Sequence, residues 1–204
     1  TSFFFSNELY DSFKRFLKPT QHTKDEGVAI NYSPKQKELI ASNARDQRIK
    51  GVVGSGKTSV MAARAVNAHL RTNDKVLLLT YNITLKNYIH DKISKVREDF
   101  TWDNFYINNY HNFLTAEMNN LGIQITVPES FNTWTQDDKS NFFEKEYYSN
   151  LKLFEERQSE IQRYKTILID EIQDYKRPWM DIIKSCFLEP GGEYVLFGDE
   201  KQNI

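Results

Sequence analysis

The sequence predicts an α/β fold in which a mainly parallel sheet is flanked by helices and carries a helical insertion. Short apolar runs alternate with segments of helical periodicity, and this alternation is typical of parallel strands joined by right-handed crossovers. A glycine-rich segment at residues 51–58 separates the first apolar run from a helical segment. The 204 residues, 39% of them hydrophobic, are enough for one sizeable core with an inserted subdomain.

Each element is predicted from its local pattern. Ser33 followed by Pro34 marks a helix start, since proline is favoured at the first helical position. The Ala-rich residues 58–70 have the wide apolar face of a buried helix. The helix that starts at Pro34 is expected to continue over residues 36–43, and further helices are expected at residues 84–96, from 110 onwards, 135–151 and 178–187. Strands are expected at residues 47–53, 75–80, 104–108, 166–170 and 194–197, with a turn at residues 189–192.

Two segments lie outside this alternation. Residues 1–32 are predicted to form an N-terminal extension, helical over residues 1–19, where apolar residues recur at nearly helical spacing, with a polar linker over residues 20–26. The main domain covers residues 33–204, and residues 116–163 are interpreted as a polar and aromatic helical insertion within it. The aromatic side chains of the insertion suit a small helical core better than a surface that stacks nucleic-acid bases.

The pattern G-x-x-x-x-G-K-[ST] fits residues 51–58 in full and predicts a site for nucleotide phosphates. Backbone N–H groups of such a loop, together with the following helix N-terminus, hold phosphate oxygens. Lys57 is expected to reach the β- and γ-phosphates, and the Thr58 hydroxyl to ligate Mg²⁺. A glycine-rich turn that binds nothing is the alternative, and the predicted strand and helix around the loop argue against it. The candidate nucleotide-binding residues of the loop are Gly51, Gly54, Ser55, Gly56, Lys57, Thr58 and Ser59.

An acidic pair that follows the apolar run T-I-L-I predicts the second half of the site. Asp170 is expected at the carboxyl end of a strand, where ligands bind in open α/β sheets, and would hold Mg²⁺. Glu171 is the candidate general base for an attacking water. The alternative is a solvated, acidic helix start. Gln202, after the last predicted strand, is the candidate contact to the γ-phosphate, because its amide both donates and accepts hydrogen bonds.

The composition argues against several classes of protein. The net charge of −1 gives no overall basic field of the kind that indicates nucleic-acid binding. The single cysteine, Cys186, lies in an apolar stretch and is expected to be a buried, inert thiol. Without a second cysteine no internal disulfide forms, which suits a cytoplasmic location. The histidines lack metal-ligand spacing, and no apolar run is long enough to span a membrane. The chain starts without Met or a signal-peptide pattern and is expected to be an excised piece.

Six segments in this order resemble the first motor domain, a RecA-like 1A domain, of UvrD/Rep-type superfamily 1 DNA helicases. They are S-P-K-Q, G-V-V-G-S-G-K-T, L-L-T-Y-N, Y-H-N-F, D-E-I-Q-D and G-D-E-K-Q. The resemblance covers residues 33–204 and implies binding of ATP and Mg²⁺, with Gln36 reading the adenine edge. It also implies hydrolytic and γ-phosphate-sensing roles for Asp170, Glu171, Gln173 and Gln202.

The same resemblance implies single-stranded DNA as a partner, with RNA as an alternative. The candidate nucleic-acid contacts are Tyr81, Asn82, Tyr110 and His111. From the residues alone, Gln36 is an ordinary polar helix residue and His111 a structural one. Two departures from the family pattern affect the implied nucleic-acid contacts. Asn109 stands where the family usually has Thr, and residues 199–202 read D-E-K-Q where the family has D-D-x-Q.

The expected function is that of the ATP-binding N-terminal motor domain of an ATP-dependent DNA helicase or translocase. Such a domain hydrolyses ATP with Mg²⁺ and moves on a single strand when it is joined to a second RecA-like lobe of the same polypeptide. That lobe is absent from this chain, so the chain alone is expected to be nearly inactive. The alternative is a P-loop nucleotide-controlled interaction module without helicase activity, which the nearly neutral charge favours slightly.

Overall fold

The computed structural model describes residues 20–52 and 54–199. The helix predicted over residues 1–19 and the candidate γ-phosphate contact Gln202 therefore lie outside the described residues. Within the described part of the chain, no helix is both long and apolar enough to cross a membrane.

The strands form one large parallel sheet and one short antiparallel pair. The pair joins β1 (Gln21–His22) to β4 (Phe100–Thr101). The strands of the large sheet are β2 (Asp46–Gly51), β3 (Val76–Thr80), β5 (Phe105–Asn109), β6 (Tyr164–Ile169) and β7 (Leu188–Asp199). They lie in the order β2-β7-β6-β3-β5, and all neighbouring pairs are parallel. This confirms the predicted α/β fold, and it agrees with the RecA-like domain that the resemblance implies.

Helices cover both faces of the large sheet, which is why β3 is buried along its whole length. The helices are α1 (Pro34–Ile40), α2 (Lys57–Thr72), α3 (Leu85–Ile93), α4 (Tyr110–Asn120), α5 (Gln136–Phe143), α6 (Lys152–Glu155) and α7 (Arg177–Ile182). Alternate side chains of β3 enter two cores. Leu78 packs with α2 and α3 on one face, whereas Leu77 packs with α4, α7 and residues of the insertion on the other.

The segment predicted as a polar linker is anchored to the domain. His22 is buried, and its two ring nitrogens lie 3.0 Å from the Glu98 carbonyl oxygen and 2.8 Å from the Ser94 carbonyl oxygen. The imidazole also stacks on Phe100 at a centroid distance of 4.3 Å. Residues 20–26 therefore form a short strand and a single 3₁₀ turn held against the end of α3.

Among the differences from the sequence expectation, two concern the helical insertion and the turn before the last predicted strand. The helix expected through Leu151 continues from α5 only as a π-helical segment, Glu144–Tyr148, and a turn separates it from α6. The turn expected at residues 189–192 is instead part of β7, where the pairing with β6 shifts register between Tyr164 and Thr166. Gly191 takes a φ of 75° there, a conformation that other residues rarely adopt.

The aromatic residues of the insertion pack against one another. Phe131, Phe142 and Phe143 meet at ring-centroid distances of 5.6 to 5.8 Å, and Phe142 lies 6.0 Å from the ring of Tyr147. The Tyr147 hydroxyl donates to the Thr126 carbonyl oxygen at 3.0 Å and accepts from the Thr126 N–H at 2.8 Å. These contacts support a small helical core for the insertion.

Candidate nucleotide-binding site

The glycine-rich loop connects the carboxyl end of β2 to the first turn of α2. Gly54 and Gly56 have φ values of 80° and 84°, which lie in the left-handed region that favours glycine. The Ser55 N–H donates to the Val52 carbonyl oxygen at 3.1 Å and closes a turn. A Cβ on Gly51 would lie 2.7 Å from the Ser55 hydroxyl oxygen, so the loop turns back closely on its own start. Thr58 and Ser59 follow in the half-buried first turn of α2.

Lys57 places its ammonium group inside this loop. Its Nζ donates to the Gly51 carbonyl oxygen at 2.8 Å and to the Val52 carbonyl oxygen at 3.3 Å. It also forms an ion pair with the Asp199 carboxylate at 2.6 Å. The ammonium therefore faces an anion, which is the role that the sequence predicts for it toward phosphate oxygens.

Asp199 is a further residue of the site, which in the sequence is only one position of the D-E-K-Q motif. It is the last residue of β7 and is paired in register with Gly51, the last residue of β2. Because parallel strands end at the same edge, this register places the Asp199 carboxylate beside the glycine-rich loop. The signal in the sequence was its position directly after an apolar strand, but neighbouring strands are not visible in one sequence.

Gln36 lies in α1 and contacts the loop directly. Its Oε1 accepts from the Ser33 N–H at 2.9 Å, and its Nε2 donates to the Ser55 carbonyl oxygen at 3.1 Å. A Cβ on Gly56 would approach Gln36 Nε2 to 3.0 Å. The glutamine thus lies beside the glycine-rich loop, with both ends of its amide bonded to the protein, and its contact with adenine stays a prediction.

Asp170 is the buried acidic group of the site. It follows β6, its N–H donates to the Leu79 carbonyl oxygen at 2.8 Å, and 2% of its surface is exposed. One carboxylate oxygen accepts from the Glu171 N–H at 3.0 Å. Burial, reinforced by the Glu171 charge, raises the pKa of Asp170 from 3.8 to about 6, while the charge of Lys57 acts in the opposite direction. A cation would relieve this buried negative charge.

These residues fit a magnesium ion that takes most of its ligands from phosphate and water. Within residues 20–52 and 54–199, no group of three or more His, Cys, Asp or Glu side chains is arranged to hold a metal. Mg²⁺ at phosphate sites commonly uses only one or two carboxylates. The Asp170 carboxylate and the Thr58 hydroxyl would supply the protein ligands.

Glu171 has an unusual backbone and a fixed side chain. Its φ of 52° and ψ of 48° are left-handed. The Gln173 Nε2 donates to the Glu171 carboxylate, and the Gln173 Oε1 accepts from the Asp199 N–H at 3.4 Å. The segment after β6 is therefore linked to the tip of β7 and, through Asp199, to Lys57.

The four candidate nucleic-acid contacts lie in different environments, and two of them follow β3 on the surface. Tyr81 is 45% exposed, and its ring is nearly parallel to that of Trp179 at a centroid distance of 6.4 Å. Asn82 is exposed and forms the turn into α3, with its side-chain oxygen accepting from the Thr84 N–H at 3.0 Å. Their contacts with nucleic acid stay predictions.

Tyr110 and His111 begin α4. Tyr110 is only 1% exposed, stacks on Trp179 at 4.5 Å and donates its hydroxyl to the Tyr148 carbonyl oxygen at 2.7 Å. Its burial argues against a direct contact between this ring and a base and gives it a packing role. His111 is partly exposed, and burial lowers its pKa despite the nearby Glu144 charge.

Glu144 of the insertion contacts this aromatic group, and no pattern in the sequence indicates it. It accepts from Trp179 Nε1 at 2.8 Å and pairs with Lys176 at 3.2 Å. Burial opposes its ionisation, but hydrogen bonds from Ser149, Trp179 and Lys176 hold the pKa of Glu144 below its ordinary value. The insertion is thereby attached to the segment that directly follows Asp170 and Glu171.

A family model described as an AAA domain matches residues 36–204, which is more than half of the chain and contains every described site residue. A search of curated proteins finds no match.

Proposed function

Because the chain belongs to the AAA-domain family, a P-loop domain also found in UvrD/Rep-type helicases, we propose that it is the ATP-binding motor domain of an ATP-dependent DNA helicase or translocase. The observation that carries the proposal is the convergence of Lys57, Asp170 and Glu171 at one edge of the sheet. The Lys57–Asp199 pair and the Gln173 contacts connect these residues across three strand ends.

The proposed reaction is the hydrolysis of ATP to ADP and phosphate. The oxygen of a water molecule bonds to the γ-phosphorus, the bond from that phosphorus to the ADP oxygen breaks, and Glu171 accepts the proton of the water. Lys57 holds the negative charge of the β- and γ-phosphates. Mg²⁺, held by Thr58 and Asp170, neutralises phosphate charge when it is bound. Gln36 orients the adenine, and Gln202 contacts the γ-phosphate.

The proposal extends to nucleic acid and to a second lobe. Single-stranded DNA, with RNA as the alternative, would run past Tyr81 and Asn82, which are exposed at the end of β3. An exposed aromatic ring can stack a base, and such stacking tolerates any base sequence. A second RecA-like lobe of the same polypeptide would close over the nucleotide and supply further positive charge.

A nucleotide-controlled interaction module without helicase activity is the second candidate. The burial of Tyr110 and the net charge of −1 favour it, because both reduce the surface that a nucleic acid would recognise. Both candidates bind ATP. They differ in whether single-stranded DNA changes the rate of turnover.

The test is steady-state phosphate release with and without single-stranded DNA, on the longest form of the polypeptide that contains this domain. The motor proposal expects DNA to raise the rate, and expects Glu171→Gln to bind ATP normally but to turn it over far more slowly. Lys57→Ala is the binding control, since it loses a charge-assisted contact worth about 1.5–3 kcal/mol. A rate that DNA leaves unchanged would favour the interaction module, and normal turnover by Glu171→Gln would remove the base role from Glu171.

A further inference from the structure

The backbone of Glu171 is held in a conformation that side chains rarely adopt. Among the described residues other than glycine, only Asn73 and Glu171 have a positive φ. Asparagine tolerates this region because its short side chain bonds locally, whereas glutamate has no such advantage. Strained residues persist only where the surroundings determine them, and they concentrate at functional sites. The contacts that hold Glu171 therefore bear on its function.

Gln173 is the side chain that bonds the Glu171 carboxylate. Its amide nitrogen donates to the Glu171 carboxylate, and its amide oxygen accepts from the Asp199 N–H at 3.4 Å. An amide is suited to this position because it donates at one end and accepts at the other. The fit is close, since a Cβ on Gly198 would lie 2.5 Å from Ile172 Cγ2 and 3.2 Å from Gln173 Oε1.

Asp199 continues these contacts to the glycine-rich loop. Its N–H faces Gln173, and its carboxylate pairs with Lys57 Nζ at 2.6 Å. The carboxylate and the lysine are only 22% and 11% exposed, so little water screens the pair. An unbroken series of polar contacts thus joins Lys57, Asp199, Gln173 and Glu171.

We propose that Gln173 is a positioning residue that transmits the state of Lys57 to Glu171. The inference rests on the proposed function, because it takes nucleotide phosphate as the anion that displaces the Asp199 carboxylate from Lys57. A nucleotide phosphate at the Lys57 ammonium repels the Asp199 carboxylate, so phosphate binding moves that carboxylate. Since the Asp199 N–H is bonded to Gln173, that movement shifts the Gln173 amide, which stays bonded to the Glu171 carboxylate and turns it toward the water it activates.

The first experiment reads the Gln173 side-chain amide by ¹⁵N–¹H NMR. Its signal pair is identified by its absence in Gln173→Met. On addition of Mg²⁺ and a non-hydrolysable β,γ-imido analogue of ATP, the backbone signals of Gly54 and Gly56 and the Gln173 pair are all expected to shift. In Asp199→Asn, which lacks the carboxylate charge, the glycine signals still shift but the response of Gln173 becomes smaller.

The signals of Gly54 and Gly56 distinguish failure of the proposed function from failure of the relay, meaning the series of contacts from Lys57 through Asp199 and Gln173 to Glu171. If Gly54 and Gly56 do not respond at saturating analogue, the loop binds no nucleotide, and the proposed function falls together with the relay. If they respond while the Gln173 pair stays in place, the relay is overturned and the proposed function stands.

The second experiment is a double-mutant cycle on ATP turnover. Gln173→Met, which keeps the length of the side chain but removes the amide, should lower kcat by about 10²-fold and leave the nucleotide Kd unchanged. In a Glu171→Gln background the same substitution should cause no further loss, because the base it positions is already gone. Equal proportional losses in both backgrounds would give Gln173 a structural role only and would overturn the proposal.

Discussion

Burying the carboxylate of Asp170, the candidate Mg²⁺ ligand, lowers the stability of the folded protein. Burial of its carboxyl group raises the pKa of Asp170 from 3.8 to about 6. The folded state therefore binds more protons than the unfolded state between these two pH values, and stability falls as the pH rises through that window. Above about pH 6 the full cost applies, which for this difference in pKa corresponds to about 3 kcal/mol.

We expect Asp170→Asn to stabilise the nucleotide-free protein. The amide keeps an oxygen that can accept from the Glu171 N–H but carries no charge. The gain should reach about 1–3 kcal/mol at pH 8 and about half as much at pH 5. Urea unfolding at the two pH values measures it, with Asp174→Asn, an exposed carboxylate in the same segment, as the control. A gain that does not grow with pH would contradict the burial argument. The same variant should lose the dependence of nucleotide binding on Mg²⁺.

Tyr81 carries the residue-scale prediction for nucleic acid. Tyr81→Ala should weaken single-strand binding by about 1–3 kcal/mol, the usual contribution of one stacked base. Tyr88→Ala is a matched control, because Tyr88 is 46% exposed and Tyr81 is 45% exposed. Dissociation constants at one fixed salt concentration give the comparison. An unchanged constant for Tyr81→Ala would leave this residue a packing role against Trp179.

At the scale of elements, a buried ion-pair network fixes α1 and α2 relative to β7. Arg64 of α2 and Glu193 of β7 are completely buried and meet at 2.7 Å. Arg64 also donates to the carbonyl oxygen of Leu39 in α1 at 2.8 Å, and Arg71 pairs with the other oxygen of Glu193 at 2.9 Å. Because α1 carries Gln36 and α2 carries Lys57, this network fixes the relative positions of two residues that contact the glycine-rich loop.

Removing one partner of this network should be far more harmful than removing both. Glu193→Leu leaves the Arg64 charge buried without its partner and should lower the free energy of unfolding by about 3–5 kcal/mol. The double variant Arg64→Met/Glu193→Leu should recover much of that loss. Asp91→Asn is the control, since it breaks an exposed pair with Lys95 worth well under about 1 kcal/mol. Chemical denaturation measures all three, and a double variant less stable than the single one would contradict the account.

The sequence was most informative where a pattern is local. The run V-L-L-L-T predicted β3, and the spacing of Gly51, Gly56 and Lys57 predicted the loop, because both depend on residues close together in the chain. It was least informative for contacts between distant residues. Arg64 and Glu193 are 129 positions apart, and Asp199 and Lys57 are 142 apart, so periodicity does not detect their pairing. The burial of Tyr110 likewise depends on Trp179, which comes from another helix.

At the scale of the whole molecule, the candidate site residues lie at one edge of the sheet. The loop after β2, the acidic segment after β6 and the tip of β7 meet there, while two cores on opposite faces hold the strands in place. The order β2-β7-β6 brings together three strand ends that are far apart in the sequence. The insertion adds to the same edge through Glu144 and Trp179. One sheet therefore places the glycine-rich loop, Glu171 and the aromatic group of Tyr81 and Trp179 together.

The cationic side chains at the glycine-rich loop lead to a prediction about this chain by itself. Among the described residues, the contacts of the glycine-rich loop include one cationic side chain, Lys57, whereas Arg64 and Arg71 are engaged with Glu193. Phosphoryl transfer also needs charge stabilisation at the transferred group, and an arginine supplied from outside contributes about 10³–10⁵ in rate. We therefore expect this 204-residue chain to bind nucleotide but to hydrolyse it very slowly, and to unwind no duplex. Phosphate release by the purified chain, with and without single-stranded DNA, measures this. Rapid, DNA-stimulated turnover would mean that the domain supplies its own charge stabilisation and needs no second lobe for chemistry.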